Sequence, residues 1–250
     1  MLAAERRQVI LGLLQKEGRV LAVELSAQLG TCEDTIRRDL REMAGEGLLQ
    51  RVHGGALPRS PAETRYSDRQ QNLSPGKIEI AQKAARLIQP GMVVFLSGGT
   101  TNVQLAASLP RNLQATIITH NPAVAVALTD HDNIEIVLIG GRVLKRTMVT
   151  VGSETVDALR SMRADLCMLG VCSLHPEVGV SMPDQEEVSV QQAMLANAAE
   201  TAALVSREKL GTVSHFTVAG IEEVNIIVTE QNVPESLLKP YRDLEIEIIK

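Results

Sequence analysis

The chain has 250 residues, a formal net charge of −5, 44% hydrophobic and 22% charged residues, and 2% aromatics with no Trp. That length and apolar content leave room for one large domain or for a small and a medium one around an aliphatic core; they exclude a disordered chain, and the acidic balance excludes a chain-wide nucleic-acid coat. No apolar run approaches the ~18 residues that span a bilayer, so no membrane partner is expected.

The N-terminus lacks the apolar stretch of a secretory signal. The three cysteines, Cys32, Cys167 and Cys172, are odd in number and scattered, which suits a reducing cytoplasm better than a disulfide scaffold. No Cys or His pair has zinc spacing, so no metal and no other cofactor is expected. Residues 1–60 hold nine Lys/Arg against eight Asp/Glu, and the remainder sixteen against twenty-two. The first part is therefore close to neutral and the rest acidic.

The first predicted helix covers residues 5–16, with Val9, Ile10, Leu13 and Leu14 as one apolar stripe, and Gly18 ends it. A second short helix covers 22–29, with Val23, Leu25 and Leu29 as core contacts and Gly30 at its sharp stop. A third begins after Thr31-Cys32. Its stripe is Ile36, Leu40 and Met43, at i, i+4 and i+7, and Gly47 closes it. Helix, helix, tight glycine turn, helix is the order of a helix-turn-helix unit.

Advancing ~100° per residue from Ile36 puts Arg38 opposite the core, near Asp34 and Arg41, with Arg37 and Thr35 on the flanks. An arginine here can grip guanine bidentately or bind phosphate. Asp39 is expected to neutralise a neighbouring cation rather than touch DNA. Residues 48–52 read as a strand, 53–55 as a turn and 56–57 as a short return. A hairpin in that place is a wing, from which Arg51 and His53 can reach phosphates.

These residues resemble the DNA-binding domain of the DeoR family of bacterial transcription regulators over residues 5–57. The run Thr35-Ile36-Arg37-Arg38-Asp39-Leu40 and the following His53-Gly54-Gly55-Ala56 carry the resemblance. The family usually has Ser where this chain has Cys32, which leaves Thr31 or water to cap the third helix. The candidate DNA contacts are Thr31, Thr35, Arg37, Arg38, Arg41, Arg51 and His53, and the implied partner is a double-stranded operator.

Residues 58–76 are polar and Pro-rich and read as a linker or docking arm. From Lys77 the pattern alternates. Helices are predicted at 77–88, 102–109 and 185–198, and buried strands at 92–96, 115–119, 134–141, 164–171, 202–206 and 224–230. The alternation means βαβ units and a mostly parallel sheet, with ligands gathering beyond the strands' carboxyl ends. There lie Ser97-Gly98-Gly99-Thr100-Thr101, suited to a phosphate; Gly140 and Gly141 with Arg142, Lys145 and Arg146; and Lys209. No dinucleotide or Walker fingerprint is present.

The resemblance extends over residues 77–230 and implies a sensor domain similar in fold to ribose-5-phosphate isomerase, binding a small phosphorylated metabolite. The candidate effector residues are Ser97, Gly98, Gly99, Thr100, Thr101, Asn121, Gly140, Gly141, Lys145 and Lys209. The chain departs from the family pattern at Ser97, His120, Gln191 and Ser206, where the family has Asp, Asn, Lys and Asp. Fewer acid/base groups count against an isomerase, and no catalytic residue is assigned.

The expected architecture is thus α/β. A small winged helix-turn-helix domain spans 1–57, a linker 58–76, and a larger, Rossmann-like, mostly parallel α/β effector-binding and oligomerisation domain 77–250. The expected role is a cytoplasmic repressor of a carbohydrate or related catabolic operon, acting as a homodimer or tetramer. The alternatives are a sugar-phosphate isomerase-like enzyme with a DNA-targeting domain, and a DNA-binding protein whose second domain serves only assembly.

Overall fold

The computed structural model describes residues 1–60, 65–71 and 74–250. Helix α1 (Ala3–Glu17) is followed by the short strand β1 (Val20–Leu21), then α2 (Ala22–Leu29) and α3 (Glu33–Gly45). A hairpin of β2 (Gln50–Val52) and β3 (Gly55–Leu57) completes the unit, and β1 joins it in a three-stranded sheet of order β1-β3-β2. Ile10, Leu14, Leu25, Ile36, Leu40 and Met43 fill its core, each at most 2% exposed.

Two positions of the expected stripes fall outside that core. Val23 is 64% exposed and Val9 39% exposed. Ala22 takes the core position next to Val23, because β1 runs directly into α2 and turns its first residue inward.

The span read as a linker is partly structured. Ser60 is buried and its hydroxyl donates to the Cys172 carbonyl oxygen. A short helix, α4 (Tyr66–Gln71), buries Tyr66. The rest of that stretch, residues 61–64 and 72–73, lies outside the described residues.

The second unit runs through α5 (Pro75–Ala85), β4 (Val93–Leu96), α6 (Thr100–Ser108), β5 (Ala115–Thr119), α7 (Pro122–Ala127) and β6 (Ile134–Leu138). A hairpin, β7 (Arg142–Leu144) and β8 (Val149–Val151), precedes α8 (Ser153–Arg160) and β9 (Ala164–Gly170). Then come β10 (Ser173–His175), β11 (Gly179–Met182), α9 (Gln185–Leu195), β12 (Ala198–Leu204), β13 (Phe216–Ala219), β14 (Ile226–Val228), α10 (Glu235–Arg242) and β15 (Glu247–Ile249).

Seven strands form one parallel sheet of order β15-β14-β12-β9-β4-β5-β6. Its strands are apolar on both faces, as a sheet covered on both sides requires. Val94, Leu96, Leu166 and Met168 pack under α5 and α6, while Phe95, Cys167 and Leu169 face the opposite core with residues of α9 and β8. Strands β10, β11 and β13 form a separate antiparallel sheet. β12, β9 and β4 are neighbours in the parallel sheet, so their carboxyl ends lie side by side, and Asp68 and Arg69 of α4 line the same cavity as the residues that follow these strands.

Candidate nucleic-acid interface and ligand cavity

In the N-terminal unit, Gly30 ends α2 in the left-handed region at φ 59°. The chain then turns into α3, held by the Ser26 hydroxyl donating to the Thr31 carbonyl oxygen at 2.8 Å. No side chain caps α3 at Cys32. The Thr31 hydroxyl is directed instead to the Leu29 carbonyl oxygen, and the Cys32 thiol sits 3.1 Å from Thr35 Oγ1. That hydrogen bond draws the thiol below its ordinary pKa.

Asp39 is 1% exposed and pairs with Arg6, with Arg7 at 3.8 Å. It does neutralise a cation, but one on α1 rather than a neighbour on its own helix. The Arg37 and Arg38 side chains are 58% and 65% exposed. Arg37 reaches Glu33 at 2.6 Å, and Arg38 approaches Glu42 at 4.0 Å. Such surface pairs contribute about 0.3–0.5 kcal/mol, so a phosphate or a base can displace them.

Arg41, Arg51 and His53 are exposed, and Thr31 and Thr35 half-exposed. The wing is tied to the helices, since Ala22 N–H donates to the Gly54 carbonyl oxygen at 2.8 Å. α3 and the wing therefore present their cations from one rigid unit. The sequence did not reveal β1; two apolar residues between glycine-ended and alanine-started helices leave no strand signal.

In the second unit, a cavity of ≈ 410 Å³ lies at the carboxyl ends of β4, β9 and β12. Its walls include Gly98, Gly99, Thr100 and Thr101, the turn Gly170-Val171-Cys172, Glu187 on α9, Glu208 and Lys209, Lys77 on α5, and Asp68 and Arg69 on α4. Gly99 starts α6 at φ 106°, a conformation closed to most L side chains, and as the N-cap residue it has no side chain to cap that first turn. Gly170 passes so close to Gly98 that an added Cβ would stand 2.0 Å from the Gly98 carbonyl oxygen.

Three cations meet here. Burial depresses Lys77 and Lys209; the Arg69 charge lowers both further, and the Glu208 carboxylate on the same wall acts in the opposite direction on both. Lys209 Nζ donates to the Val171 carbonyl oxygen at 2.7 Å. Burial raises Glu187 above the usual carboxylate range. An anion among these cations would relieve their mutual repulsion and repay part of their desolvation.

Behind Gly98 lies a buried polar layer. Ser97 accepts from the Gly170 amide at 2.7 Å, and Asn102 Nδ2 donates to the Gly98 and Met168 carbonyl oxygens at 3.2 and 3.1 Å. Both His120 ring nitrogens, Asn102 Oδ1 and Gln191 Oε1 are buried without a hydrogen-bond partner among the described residues. His120 is fully buried, and this pushes its pKa down to about 4. It stands neutral, one nitrogen a donor and the other an acceptor.

The expected effector residues thus divide. Gly98, Gly99, Thr100, Thr101 and Lys209 share the cavity wall. Ser97 stitches β4 to β9 behind it. Asn121 Oδ1 accepts from the Ala123 amide at 2.9 Å and caps α7. The Gly140 carbonyl oxygen accepts from Thr155, and Gly141 passes closely beneath the Thr155 hydroxyl. Lys145 is exposed on the β7–β8 hairpin, away from the cavity wall. Arg142 pairs with Glu186, and Arg146 lies 3.7 Å from Asp184. Arg69, Lys77 and Glu187 are wall residues outside the expected set. The signal for Arg69 was Tyr66 standing three residues earlier in an otherwise polar stretch, which is helical spacing.

Residues 6–61 match the DeoR-like helix-turn-helix domain, and residues 74–231 match the DeoR C terminal sensor domain. The HTH-type transcriptional regulator GlpR of Haloferax volcanii is 34% identical over 92% of this chain and 91% of that protein. The glycerol-3-phosphate regulon repressor of Escherichia coli is 30% identical over 99% of each chain. The HTH-type transcriptional repressor GlcR of Bacillus subtilis is 31% identical over 92% of this chain and 90% of that protein. Among solved structures, ribose 5-phosphate isomerase A of Methanocaldococcus jannaschii is 18% identical over 53% of this chain and 52% of the other, with a TM-score of 0.38. With both of its units matched along nearly their whole length, the chain belongs to the DeoR family of transcription regulators.

Proposed function

We propose that the protein is a DNA-binding repressor of a carbohydrate or glycerol-phosphate type operon, released or engaged by a small phosphorylated metabolite held in the cavity at Gly98–Thr101. The convergence of Arg69, Lys77 and Lys209 beside the Gly98–Thr101 turn carries this reading: cations grouped at a helix start favour an anionic occupant, and Asp68, Glu187 and Glu208 on the same wall suit the hydroxyls of its remainder. The uncapped first turn of α6 adds oriented backbone N–H groups. Thr31, Thr35, Arg37, Arg38, Arg41, Arg51 and His53 supply the operator contacts, and a single winged unit reads so few bases that a homodimer or tetramer on repeated half-sites is expected. The cytoplasm is the compartment of this role.

The ligand must bind one arrangement of the assembly better than another, since equal binding shifts nothing. The test has two parts. Genome-wide mapping of bound sites identifies the operon. Thermal shift with its phosphorylated metabolites then finds the effector, which at 100 times its Kd adds about 2.7 kcal/mol. Turnover of pentose or hexose phosphates by the purified protein would instead support the enzyme reading. A stable oligomer indifferent to every metabolite would reduce the second unit to assembly.

A further inference from the structure

The cavity is not walled by the sensor unit alone. α4 stands between the wing, which ends at Leu57, and α5, and it packs against α6. It lies on the cavity, with Asp68 and Arg69 in the wall.

Its position is fixed at one end. Tyr66 is 6% exposed, and its backbone N–H donates to the Arg146 carbonyl oxygen at 2.7 Å. Arg146 in turn lies 3.7 Å from Asp184, which caps α9 by accepting from the Glu186 and Glu187 amides at 3.1 and 3.4 Å. The anchor of α4 is therefore continuous with the helix that carries Glu187.

Arg69 is the unusual member of α4. It is half-buried, its Nε is buried without a hydrogen-bond partner, and it makes no ion pair among the described residues. Burying that one N–H without an acceptor is unfavourable. Lys77 and Lys209 on the same wall add repulsion, which Asp68, Glu187 and Glu208 on that wall offset in part. An anion seated between them would convert these costs into charge-assisted hydrogen bonds.

We propose that Arg69 closes the anion site from the interdomain helix, so that occupancy of the cavity is transmitted to the DNA-binding unit through α4. The proposal rests on the reading that the cavity takes a phosphorylated ligand. With α4 docked, the ligand gains the Arg69 guanidinium, against the Asp68 carboxylate that α4 also brings to the wall; with α4 displaced, it loses both and keeps Lys77 and Lys209. The ratio of the two affinities is the coupling between the sites, and couplings of this kind commonly span about 5- to 150-fold. By reciprocity, DNA bound to the N-terminal unit changes the ligand's affinity by the same factor.

Hydrogen–deuterium exchange on the full chain, with inorganic phosphate as the probe at constant ionic strength, tests this. In the wild type, phosphate is expected to slow exchange both in the peptide over 97–109 and in the one over 65–71. Arg69→Ala is expected to weaken phosphate by about tenfold or more, the scale of one lost charge-assisted contact. At saturating phosphate that variant protects 97–109 but no longer 65–71, and Arg69→Lys restores part of both effects. Wild-type affinity in Arg69→Ala, or wild-type protection confined to 97–109, overturns the proposal while leaving the ligand site intact. No protection anywhere in the wild type, with phosphate or with glycerol 3-phosphate, removes the ligand reading and this proposal together. Should Arg69→Ala fail to fold, the wild-type exchange pattern decides alone.

Discussion

Asp39 on α3 and Arg6 on α1 form an ion pair in the interior of the N-terminal unit, with side-chain exposures of 1% and 8%. The pair fastens the recognition helix to the helix behind it, with Arg7 as a second cation at 3.8 Å. Asp39→Ala leaves the buried Arg6 without its acceptor and is expected to cost about 1–3 kcal/mol of unfolding free energy. Chemical denaturation of the isogenic pair measures this. A loss of DNA affinity should follow only as the unit unfolds.

Arg38→Ala should leave that stability unchanged, because the side chain is 65% exposed and its nearest acid is 4.0 Å away. DNA affinity should fall. Titrations at several salt concentrations separate the two roles open to it. A phosphate contact lowers the salt slope by about 1 for all sequences, whereas a base contact removes about 1–3 kcal/mol at one operator position. Unchanged affinity at every salt concentration would exclude Arg38 from the interface.

Thr100→Asp places a carboxylate in the cavity wall, where Thr100 is 5% exposed at the start of α6. Response to phosphorylated metabolites should disappear while DNA binding persists. Lys209→Met, which keeps the length of the side chain and removes the charge, should give the same phenotype. Fluorescence anisotropy of labelled DNA with and without metabolite distinguishes these outcomes, and a normal response in either variant would exclude that residue from the ligand site.

His120 gives the protein an acid-sensitive point. Its pKa falls from 6.5 to about 4 on burial. Between these values the unfolded chain takes up a proton that the folded chain refuses. The stabilisation is therefore complete above about pH 6.5 and is lost as the pH falls toward 4. At ~1.4 kcal/mol per pKa unit the ceiling is about 3 kcal/mol. His175, also depressed by burial, adds to the same slope, while Glu187, raised by burial, opposes it. Thermal unfolding of His120→Asn at pH 7.5 and pH 5 should show a smaller loss than the wild type. Equal losses would place the acid sensitivity elsewhere.

Much of this organisation was legible in the sequence. Ile36, Leu40 and Met43 follow helical period, and all three are core residues. Strands such as Val93–Leu96 and Ala164–Gly170 appear as short aliphatic runs because a sheet covered on both sides must be apolar on both. Two-residue β1 and the small strands β10, β11 and β13 carry no such run, since their pairing is set by tertiary contacts. The cavity was half visible. A Gly-Gly-Thr-Thr turn after a strand announces itself, whereas Lys77, Glu187 and Arg69 come from separate elements that only the fold brings together. Lys145 looked equivalent to Lys209 in sequence, both following a strand near glycine, but its hairpin turns it out to solvent.

The near absence of aromatic residues has a practical consequence. With no Trp, ultraviolet emission from the protein comes from its two tyrosines, Tyr66 and Tyr241. Tyr241 is held in α10, its hydroxyl donating to the Leu174 carbonyl oxygen at 2.8 Å, and Tyr241→Phe would remove its contribution. The remaining signal would report from Tyr66 alone, an optical probe already seated at the start of α4. It would allow any movement of that helix to be followed in real time without an attached dye.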